Sequence, residues 1–327
     1  MVITFSVQDA DGTSCRTLRL DHEQRAVIAA DANKDNIILN LDAGAGTGKT
    51  TTIVAAIVAQ IRRAQEKRSG SKRPLILAVA VTNAAVGQLA HTLLKFADCD
   101  PEEVIRLVNV TNETDIRTPV DLYRLLGAMI EDKQDPLKIP QNHEEYALYP
   151  KALRKVMKTR IDSADINDLG DEARASHEAS LNFLAEVNGW GRRIVLDRRP
   201  PVVICATIST LLNTLNAGEL ESFFKKKQVT VWVDEASQLP ESALFALAQK
   251  LPNARQRFVG DPMQLQPYCE SGDKYSKELA SRGISSLLVH SPGVPRLTLR
   301  ICRRLHPGML SIVSRFFYNR TMKDGAD

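Results

Sequence analysis

Cysteine is scarce in this sequence: there are five cysteines among 327 residues, and no two of them form a Cys-x-x-Cys pair. Structural zinc sites use paired cysteines and disulfide-rich domains contain many more, so the distribution argues against both and is typical of a reducing compartment. Long hydrophobic runs are also missing. The longest, TTIVAAIVAQI at 51–61, is too short to span a bilayer, and the amino terminus lacks the basic segment of a signal peptide. We therefore expect a cytoplasmic or nuclear protein that is neither secreted nor bound to a membrane.

Aromatic residues make up only 5% of the chain, which limits binding by base stacking. The formal net charge is only +4, but basic residues cluster at 61–73, 151–160, 191–200 and 225–227. Such clusters attract polyanions, although each of them is also typical of a solvated helix face or loop. Any contact with nucleic acid is thus expected to involve its backbone, to lack sequence preference and to weaken with salt.

Short apolar runs rich in β-branched residues predict the strands of a buried parallel sheet. They lie at 37–41, 75–81, 202–207, 229–233 and 257–260. Helical patterns follow most of them, which predicts an α/β fold with a doubly wound sheet. Two β-like runs, ITFSV and TLRL, come before the first of these strands. Between about 118 and 200 the alternation stops and the sequence becomes charged and helical, so we expect a helical insertion there.

The strongest motif is a glycine-rich turn between the first of these strands and a helix, in the sequence IILNLDAGAGTGKTT. The backbone N–H groups of such a turn, with the N-terminus of the helix, bind phosphates. Ala43 replaces the first glycine of the GxxxxGKT pattern, but Lys49 can reach the β and γ phosphates and Thr50 can ligate Mg²⁺. A chance turn is the alternative. The predicted nucleotide-binding residues of the turn are Gly44, Ala45, Gly46, Thr47, Gly48, Lys49, Thr50 and Thr51.

Two further predicted strands end in polar residues. VTVWVDEASQ places Asp234 and Glu235 after a strand, where Asp234 is expected to hold the Mg²⁺ and Glu235 to orient and deprotonate the attacking water. RFVGDPMQLQP places Gln264 after the next strand, where its amide can sense the γ-phosphate. A helix-capping acidic pair and an ordinary loop glutamine are the alternative interpretations.

These segments resemble the motifs of superfamily 1 helicases, in particular the branch that contains the up-frameshift RNA helicase and its Sen1-like relatives. The resemblance covers the chain from Leu20 onward. LDHEQRAVI is similar to the glutamine motif, AGAGTGKT to motif I, AVTNAAVGQL to motif Ia, VDEASQ to motif II, GDPMQLQP to motif III and CRRLHPGMLSIVSRFFYNRTMKDG to the motif IV segment. It implies a RecA-like P-loop NTPase core that binds ATP and Mg²⁺ and acts as a helicase on single-stranded nucleic acid, with RNA favoured over DNA.

The resemblance also implies further binding roles. Gln24 would contact the adenine, although Asp21 and Gln24 have the spacing of a helix capping box as well. Thr82, Asn83 and Thr207, at predicted strand ends, would contact the phosphates of a single strand, and plain helix N-caps are the alternative. Additional nucleic-acid contacts are expected in the insertion, from Lys151, Arg154, Lys155 and Lys158.

Two adjacent arginines come before a helix that Pro307 is expected to start. Arg304 matches the motif IV arginine of the family, which reaches across a domain cleft to the γ-phosphate, whereas Arg303 replaces a tyrosine common in relatives. The complete predicted catalytic set is Lys49, Asp234, Glu235, Gln264 and Arg304, with Thr50 and Asp234 as metal ligands.

The predicted domain organisation has four parts: a β-like segment at 1–20, a RecA-like ATP-binding domain at 21–117 and 201–290, a helical accessory insertion at 118–200, and the start of an incomplete second RecA-like domain at 291–327. A superfamily 1 motor closes two such domains over ATP, so we expect residues 1–327 alone to bind nucleotide but to hydrolyse it slowly. The alternative is a nucleic-acid-binding regulatory protein that keeps the fold with little ATPase activity. A P-loop ATPase outside the helicases fits the motif III segment less well.

Overall fold

The computed structural model describes residues 4–8, 14–66, 74–108, 117–131, 189, 191–196, 198–217, 221–224, 227–270 and 272–325. The chain divides into two compact units. The first comprises Met1–Leu107, Thr114–Thr118 and Pro201–Asp327, and the second comprises Val108–Glu113 and Pro119–Pro200. All residues of the candidate site described below belong to the first unit.

The first described strands form an antiparallel hairpin of β1 (Thr4–Gln8) and β2 (Cys15–Arg19). Phe5 and Val7 on β1 are buried while the residues that alternate with them are exposed, as expected for a strand with one covered face. The ring of Phe5 packs edge-on against Phe96, with the ring centroids 5.5 Å apart. The runs ITFSV and TLRL therefore form strands, as their sequence predicts.

A seven-stranded parallel sheet forms the centre of the first unit. Its strands are β3 (Ile38–Ala43), β4 (Pro74–Ala80), β5 (Val104–Leu107), β6 (Val203–Thr207), β7 (Gln228–Val233), β8 (Arg255–Gly260) and β9 (Arg296–Leu299). Their spatial order is β5-β6-β4-β7-β8-β3-β9. The central strands are buried along nearly their whole length, which is typical of a sheet covered on both faces. The predicted α/β fold with a parallel sheet is confirmed.

The helices are α1 (His22–Ala32), α2 (Lys49–Glu66), α3 (Asn83–Leu94), α4 (Leu122–Glu131), α5 (Ile208–Asn216), α6 (Glu221–Phe224), α7 (Glu241–Lys250), α8 (Lys274–Ala280), α9 (Ile284–Val289) and α10 (Pro307–Phe317). Helix α2 begins directly after the glycine turn, and residues 52–61 within it are buried. A helix that is apolar around its circumference belongs in the interior, so α2 fixes the end of the turn against the sheet. Across the described ranges, no helix has both the length and the apolar character needed to cross a membrane.

The sequence does not predict the two edge strands, β5 and β9. Each has only four residues, which is too short for a clear periodic signal. β9 pairs with β3, with Arg296 opposite Asn40. The seven-stranded sheet therefore extends to Leu299, which lies inside the range 291–327 that is predicted to start a second domain. Beyond it, β10 (Ile301–Cys302) pairs in parallel with β11 (Lys323–Asp324). A second RecA-like domain that starts in this range stays a prediction.

The second unit contains most of the range predicted as a helical insertion. Helix α4 is described there, with Leu122, Leu125 and Leu126 buried. These positions recur at helical spacing, so they form one apolar face of α4. The predicted nucleic-acid contacts of the insertion, Lys151, Arg154, Lys155 and Lys158, lie outside the described residues.

Candidate nucleotide-binding site

The three phosphate-related motifs follow β3, β7 and β8, and β8 pairs with both of the other strands. Because all three strands are parallel, their carboxyl ends meet at the same edge of the sheet. Ligands of open α/β sheets bind in the crevice at this edge. The sheet order therefore brings the glycine turn, the Asp234 and Glu235 pair and the segment around Gln264 together, as the sequence predicts.

Two glycines with positive φ shape the turn. Gly46 and Gly48 have φ of +72° and +84°, a conformation that glycine adopts without strain. A Cβ atom added to Gly46 would lie 2.8 Å from the Cβ of Arg304, so space as well as backbone conformation requires glycine there. Thr47 donates a hydrogen bond from its hydroxyl to the carbonyl of Gly44 at 2.8 Å. The turn is thus closed by its own side chain and is too narrow for a Cβ atom at Gly46.

Four predicted residues from two motifs form two contacts with each other. Thr50 Oγ1 donates to Oδ2 of Asp234 at 3.3 Å, and Nζ of Lys49 lies 3.8 Å from Oε1 of Glu235. A hydroxyl beside a buried carboxylate provides the oxygen donors that Mg²⁺ prefers. Thr50 and Asp234 therefore fit as magnesium ligands, while Lys49 supplies a positive charge next to them.

The electrostatic environment of Asp234 also fits a cation. Its side chain is almost completely buried, and this burial, followed by the charge of Glu235, raises the pKa of Asp234 from 3.8 to about 6. The backbone N–H of Glu235, which lies 2.9 Å from Oδ1, opposes the rise in pKa. Lys49 and the Thr50 hydroxyl oppose it as well. A buried carboxylate with incomplete compensation gains strongly from a bound divalent cation.

Glu235 has a strained backbone, with φ of 55° and ψ of 40°. A non-glycine residue in this left-handed region is uncommon, and such strain concentrates at functional sites. One carboxylate oxygen faces Lys49, whereas the other, Oε2, is buried and has no hydrogen-bond partner among the described residues. Glu235 thus presents an acceptor that is shielded from bulk water and adjacent to Asp234.

Gln24 is a helix-capping residue that also contacts the glycine turn. Asp21 accepts from the backbone N–H of Gln24 at 2.8 Å, and Oε1 of Gln24 accepts from the N–H of Asp21 at 3.2 Å, which completes a capping box at the start of α1. Nε2 of Gln24 lies 3.1 Å from the position that a Cβ of Gly48 would occupy. The capping interpretation is therefore correct. The side-chain amide nitrogen of Gln24 faces the glycine turn. Contact between this residue and adenine stays a prediction.

Gln264 is tied to an aspartate that the predicted catalytic set does not include. Asp261, at the end of β8, is completely buried. Its Oδ2 accepts hydrogen bonds from Nε2 of Gln264 at 2.7 Å and from the hydroxyl of Tyr318 at 2.5 Å. The same hydroxyl accepts from the backbone N–H of Ala45 at 3.3 Å. Asp261 can be found in the sequence as a third acidic residue at a strand end, but no spacing or periodicity points to Tyr318.

The two arginines after β10 both lie beside the glycine turn. The backbone N–H of Arg303 donates to the carbonyl of Gly46 at 3.0 Å, and its side chain forms an ion pair with Asp21 at 2.5 Å. Arg304 starts next to Gly46 and its side chain is exposed. The structure therefore brings Arg304 to the glycine turn. Its predicted contact with a γ-phosphate stays a prediction.

The predicted single-strand contacts at strand ends are helix N-caps. Thr82 accepts from the N–H of Ala85 at 3.2 Å, and Thr207 accepts from the N–H of Thr210 at 3.1 Å. Thr82 is exposed, so its cap can also face a ligand, whereas Thr207 is 7% exposed. Asn83 follows the first cap and is half-buried. The alternative interpretation as N-caps holds for both threonines, and their binding to phosphates stays a prediction.

Comparison with known proteins identifies the family. A family model described as an AAA domain matches residues 19–272, and the chain belongs to this family. A 98-residue region is 36% identical to an uncharacterized ATP-dependent helicase of Caenorhabditis elegans, covering 29% of this chain and 6% of that protein. The predicted resemblance to the first RecA-like domain of superfamily 1 helicases is thereby confirmed, and the up-frameshift and Sen1-like branch fits the matched family.

Solved structures match this chain with low sequence identity and TM-scores below 0.5. A DEAD-box helicase bound to single-stranded RNA and UDP-BeF is 13% identical, with a TM-score of 0.43, and the match covers 86% of this chain and 40% of that one. T4 UvsW is 8% identical with a TM-score of 0.38, and the match covers 78% of this chain and 32% of that one. The chain thus spans less than half the length of these solved relatives.

Proposed function

We propose that this protein binds Mg²⁺-ATP and hydrolyses it to move along single-stranded nucleic acid. The observation that carries the proposal is the contact of Thr50 with Asp234 and of Lys49 with Glu235 at one edge of the sheet. Phosphoryl transfer needs a phosphate ligand, metal ligands and a residue that orients the attacking water in the same small volume. These four side chains supply all three, and the helicase family of the chain supports the assignment.

Nucleotide binding would begin at the glycine turn. Backbone N–H groups within 46–51 and the N-terminus of α2 would bind the phosphates, and Lys49 would neutralise the β and γ phosphate oxygens. Thr50 and Asp234 would hold Mg²⁺, which offsets the charge on the phosphate oxygens when it is bound. Gln24, beside Gly48, would contact the adenine.

Hydrolysis would then depend on Glu235. A phosphate that attracts Lys49 would leave the Glu235 carboxylate able to orient the attacking water and accept its proton. Gln264 would contact the γ-phosphate, and Arg304 would add positive charge beside it, a contribution worth about 10³ to 10⁵ in rate when such an arginine is correctly oriented. Each of these roles is an inference from the side-chain chemistry and from the family.

The nucleic acid would bind through its phosphates. Thr82, Asn83 and Thr207 at strand ends would contact a single strand, together with the basic residues at 151–158. RNA is proposed over DNA, and we also propose a cytoplasmic or nuclear location, which the family and the scattered cysteines favour. Binding of this kind lacks sequence preference and depends on salt.

The contact of Lys49 with Glu235 also favours a second candidate function. In this arrangement the phosphate ligand and the proton acceptor are engaged with each other, which would suit a nucleic-acid-binding regulatory protein with little ATPase activity. The two candidates differ in whether nucleotide separates this pair and allows turnover.

The two functions are separated by binding and single-turnover hydrolysis, measured for the wild type, Lys49→Ala and Glu235→Gln. We expect Lys49→Ala to abolish ATP binding, because the phosphate charge loses its partner. Glu235→Gln should bind ATP but hydrolyse it about 10² to 10⁴ times more slowly than wild type, which is the usual contribution of a general base. An equal loss of binding in both variants would contradict the separate roles. Hydrolysis by the wild type that is slow but clearly faster than by Glu235→Gln would support the enzymatic function, whereas tight binding with hydrolysis no faster than by Glu235→Gln, even with single-stranded RNA present, would favour the regulatory function.

A further inference from the structure

We propose that Tyr318 is a positioning residue of the nucleotide site: its hydroxyl keeps the Asp261 carboxylate hydrogen-bonded when Gln264 turns away toward a γ-phosphate. The inference rests on the proposed function, because it requires Gln264 to contact the nucleotide. It assigns Tyr318 a part in distinguishing ATP from ADP.

The geometry places Tyr318 between two of the motifs. Its hydroxyl donates to Oδ2 of Asp261 at 2.5 Å, after β8, and accepts from the N–H of Ala45 in the glycine turn at 3.3 Å. Its ring lies against the turn, with Cε1 3.3 Å from the position that a Cβ of Gly44 would occupy. One side chain therefore connects the phosphate-binding turn to the aspartate that holds Gln264.

Asp261 depends on a small set of donors. Oδ2 accepts from Gln264 and Tyr318, and Oδ1 accepts from the backbone N–H of Met263 at 3.1 Å. The carboxylate is completely buried, and a buried carboxylate that loses its donors is strongly destabilised. When fewer hydrogen-bond donors remain on Asp261, the loss of one more destabilises its carboxylate to a greater extent.

Tyr318 is suited to be the permanent donor. Burial, followed by the contact with Asp261, raises the pKa of Tyr318 to about 12, so the phenol keeps its proton at physiological pH. The exposed side chain of Gln264, by contrast, is free to leave toward a ligand. Of the two side-chain donors, Gln264 can move and Tyr318 stays.

The chain after α10 is shaped so that Tyr318 is held on the turn. Asn319 and Arg320 both have positive φ, 49° and 59°, although neither is glycine. The reversal is fixed by hydrogen bonds to Ser314, from the N–H of Arg320 at 2.8 Å and from the N–H of Met322 at 3.2 Å. Two consecutive strained residues persist only where the surrounding structure enforces them. The strained backbone thus indicates that the surrounding structure holds Tyr318 in a defined position against the glycine turn.

The donor arrangement predicts a nucleotide-specific effect. In free and ADP-bound protein, Gln264 stays on Asp261, so removing the Tyr318 hydroxyl weakens both states equally and leaves ADP affinity unchanged. With a γ-phosphate, Gln264 would leave, and Asp261 would keep Tyr318 and Met263 in the wild type but only Met263 in a Tyr318→Phe variant. The variant should therefore bind a γ-phosphate nucleotide about tenfold more weakly, as expected for one hydrogen bond to a buried charge.

The test is to measure the affinities of ADP and of the non-hydrolysable analogue AMP-PNP, both with Mg²⁺, for residues 1–327. Tyr318→Phe keeps the ring on Gly44 and removes only the hydroxyl. Tyr268→Phe is the matched control, because its hydroxyl is exposed and bonds only Glu270 in the described structure. In a Gln264→Ala background, Tyr318→Phe should lose its selectivity for AMP-PNP, since no donor moves.

The outcomes separate the inference from the function on which it rests. A loss of AMP-PNP affinity with ADP affinity kept within about twofold, and no change for Tyr268→Phe, supports it. Equal weakening of both nucleotides would show a merely structural role, and unchanged affinities would show no role; either overturns the inference while nucleotide binding stands. Failure of the wild type to bind either nucleotide would instead contradict the proposed function.

Discussion

Replacement of Asp234 by asparagine should stabilise the fold at neutral pH while it removes the metal ligand. Asparagine has the same size, its oxygen can still accept from the N–H of Glu235, and its amide can donate to the Thr50 hydroxyl. The substitution removes a buried carboxylate, and the pKa of this group is raised from 3.8 to about 6 in the folded protein. A difference of about two pKa units corresponds to about 3 kcal/mol at a pH where the carboxylate is ionised.

The expected gain in stability follows from the raised pKa of Asp234. The folded state holds the proton of Asp234 more tightly than the unfolded state, so the ionised carboxylate destabilises the fold above about pH 6. This destabilisation falls as the pH drops and is absent below 3.8, where both states are protonated. The asparagine variant should thus gain up to about 3 kcal/mol over the wild type at about pH 7.5, and nothing near about pH 3.5.

Urea unfolding of both proteins across this pH range, without and with Mg²⁺, measures the difference directly. Other carboxylates titrate in the same range, but they are common to both proteins and cancel in the comparison. Mg²⁺ should stabilise the wild type more than the variant, because it neutralises the Asp234 charge. A variant that is less stable than the wild type at neutral pH would refute the claim that Asp234 is a destabilised, cation-seeking carboxylate.

Three further outcomes follow from the geometry. Gly46→Ala should lose about 1–3 kcal/mol of stability, measured by urea unfolding, and bind ATP more weakly, because φ is +72° and the new Cβ meets Arg304 at 2.8 Å; an unchanged affinity would contradict the narrow turn. Asp31→Ala should lose about 3–5 kcal/mol in the same assay, because Asp31 is completely buried between three arginines and a glutamine. Alanine at the four basic residues of 151–158 should weaken single-strand binding and flatten its salt dependence by roughly 0.7 for each phosphate that is no longer neutralised, and an unchanged slope would assign that segment to a solvated face.

Much of the sheet and half of the site follow from the sequence because their signals are local. The runs at 37–41, 229–233 and 257–260 are short and mostly apolar, and each is followed by a glycine-rich or acidic segment. Parallel strands align those segments at one edge, which is why Thr50 and Asp234 could be paired although 184 residues separate them. Functional residues that directly follow a strand can therefore be predicted from the sequence before the fold is known.

The remainder of the site depends on contacts that no local pattern encodes. Tyr318 reaches Asp261 only because β9 joins the sheet next to β3 and the chain then returns over the glycine turn. The four residues of β9 are too few for a periodic signal, and the resemblance to superfamily 1 helicases, rather than any local pattern, places the start of a second domain at 291–327. The capping role of Gln24, by contrast, is visible from its spacing to Asp21, and the structure adds that its amide faces Gly48.

The central claim is that the Lys49, Thr50 and Asp234 cluster binds Mg²⁺-ATP, and the most direct test is the ATP affinity with and without Mg²⁺. Equilibrium titration should be carried out on the wild type, Lys49→Ala and Asp234→Asn. We predict that Mg²⁺ tightens ATP binding to the wild type, that Asp234→Asn loses most of this tightening, and that Lys49→Ala does not bind at all. ATP affinity that is the same in all three proteins and indifferent to Mg²⁺ would contradict the claim.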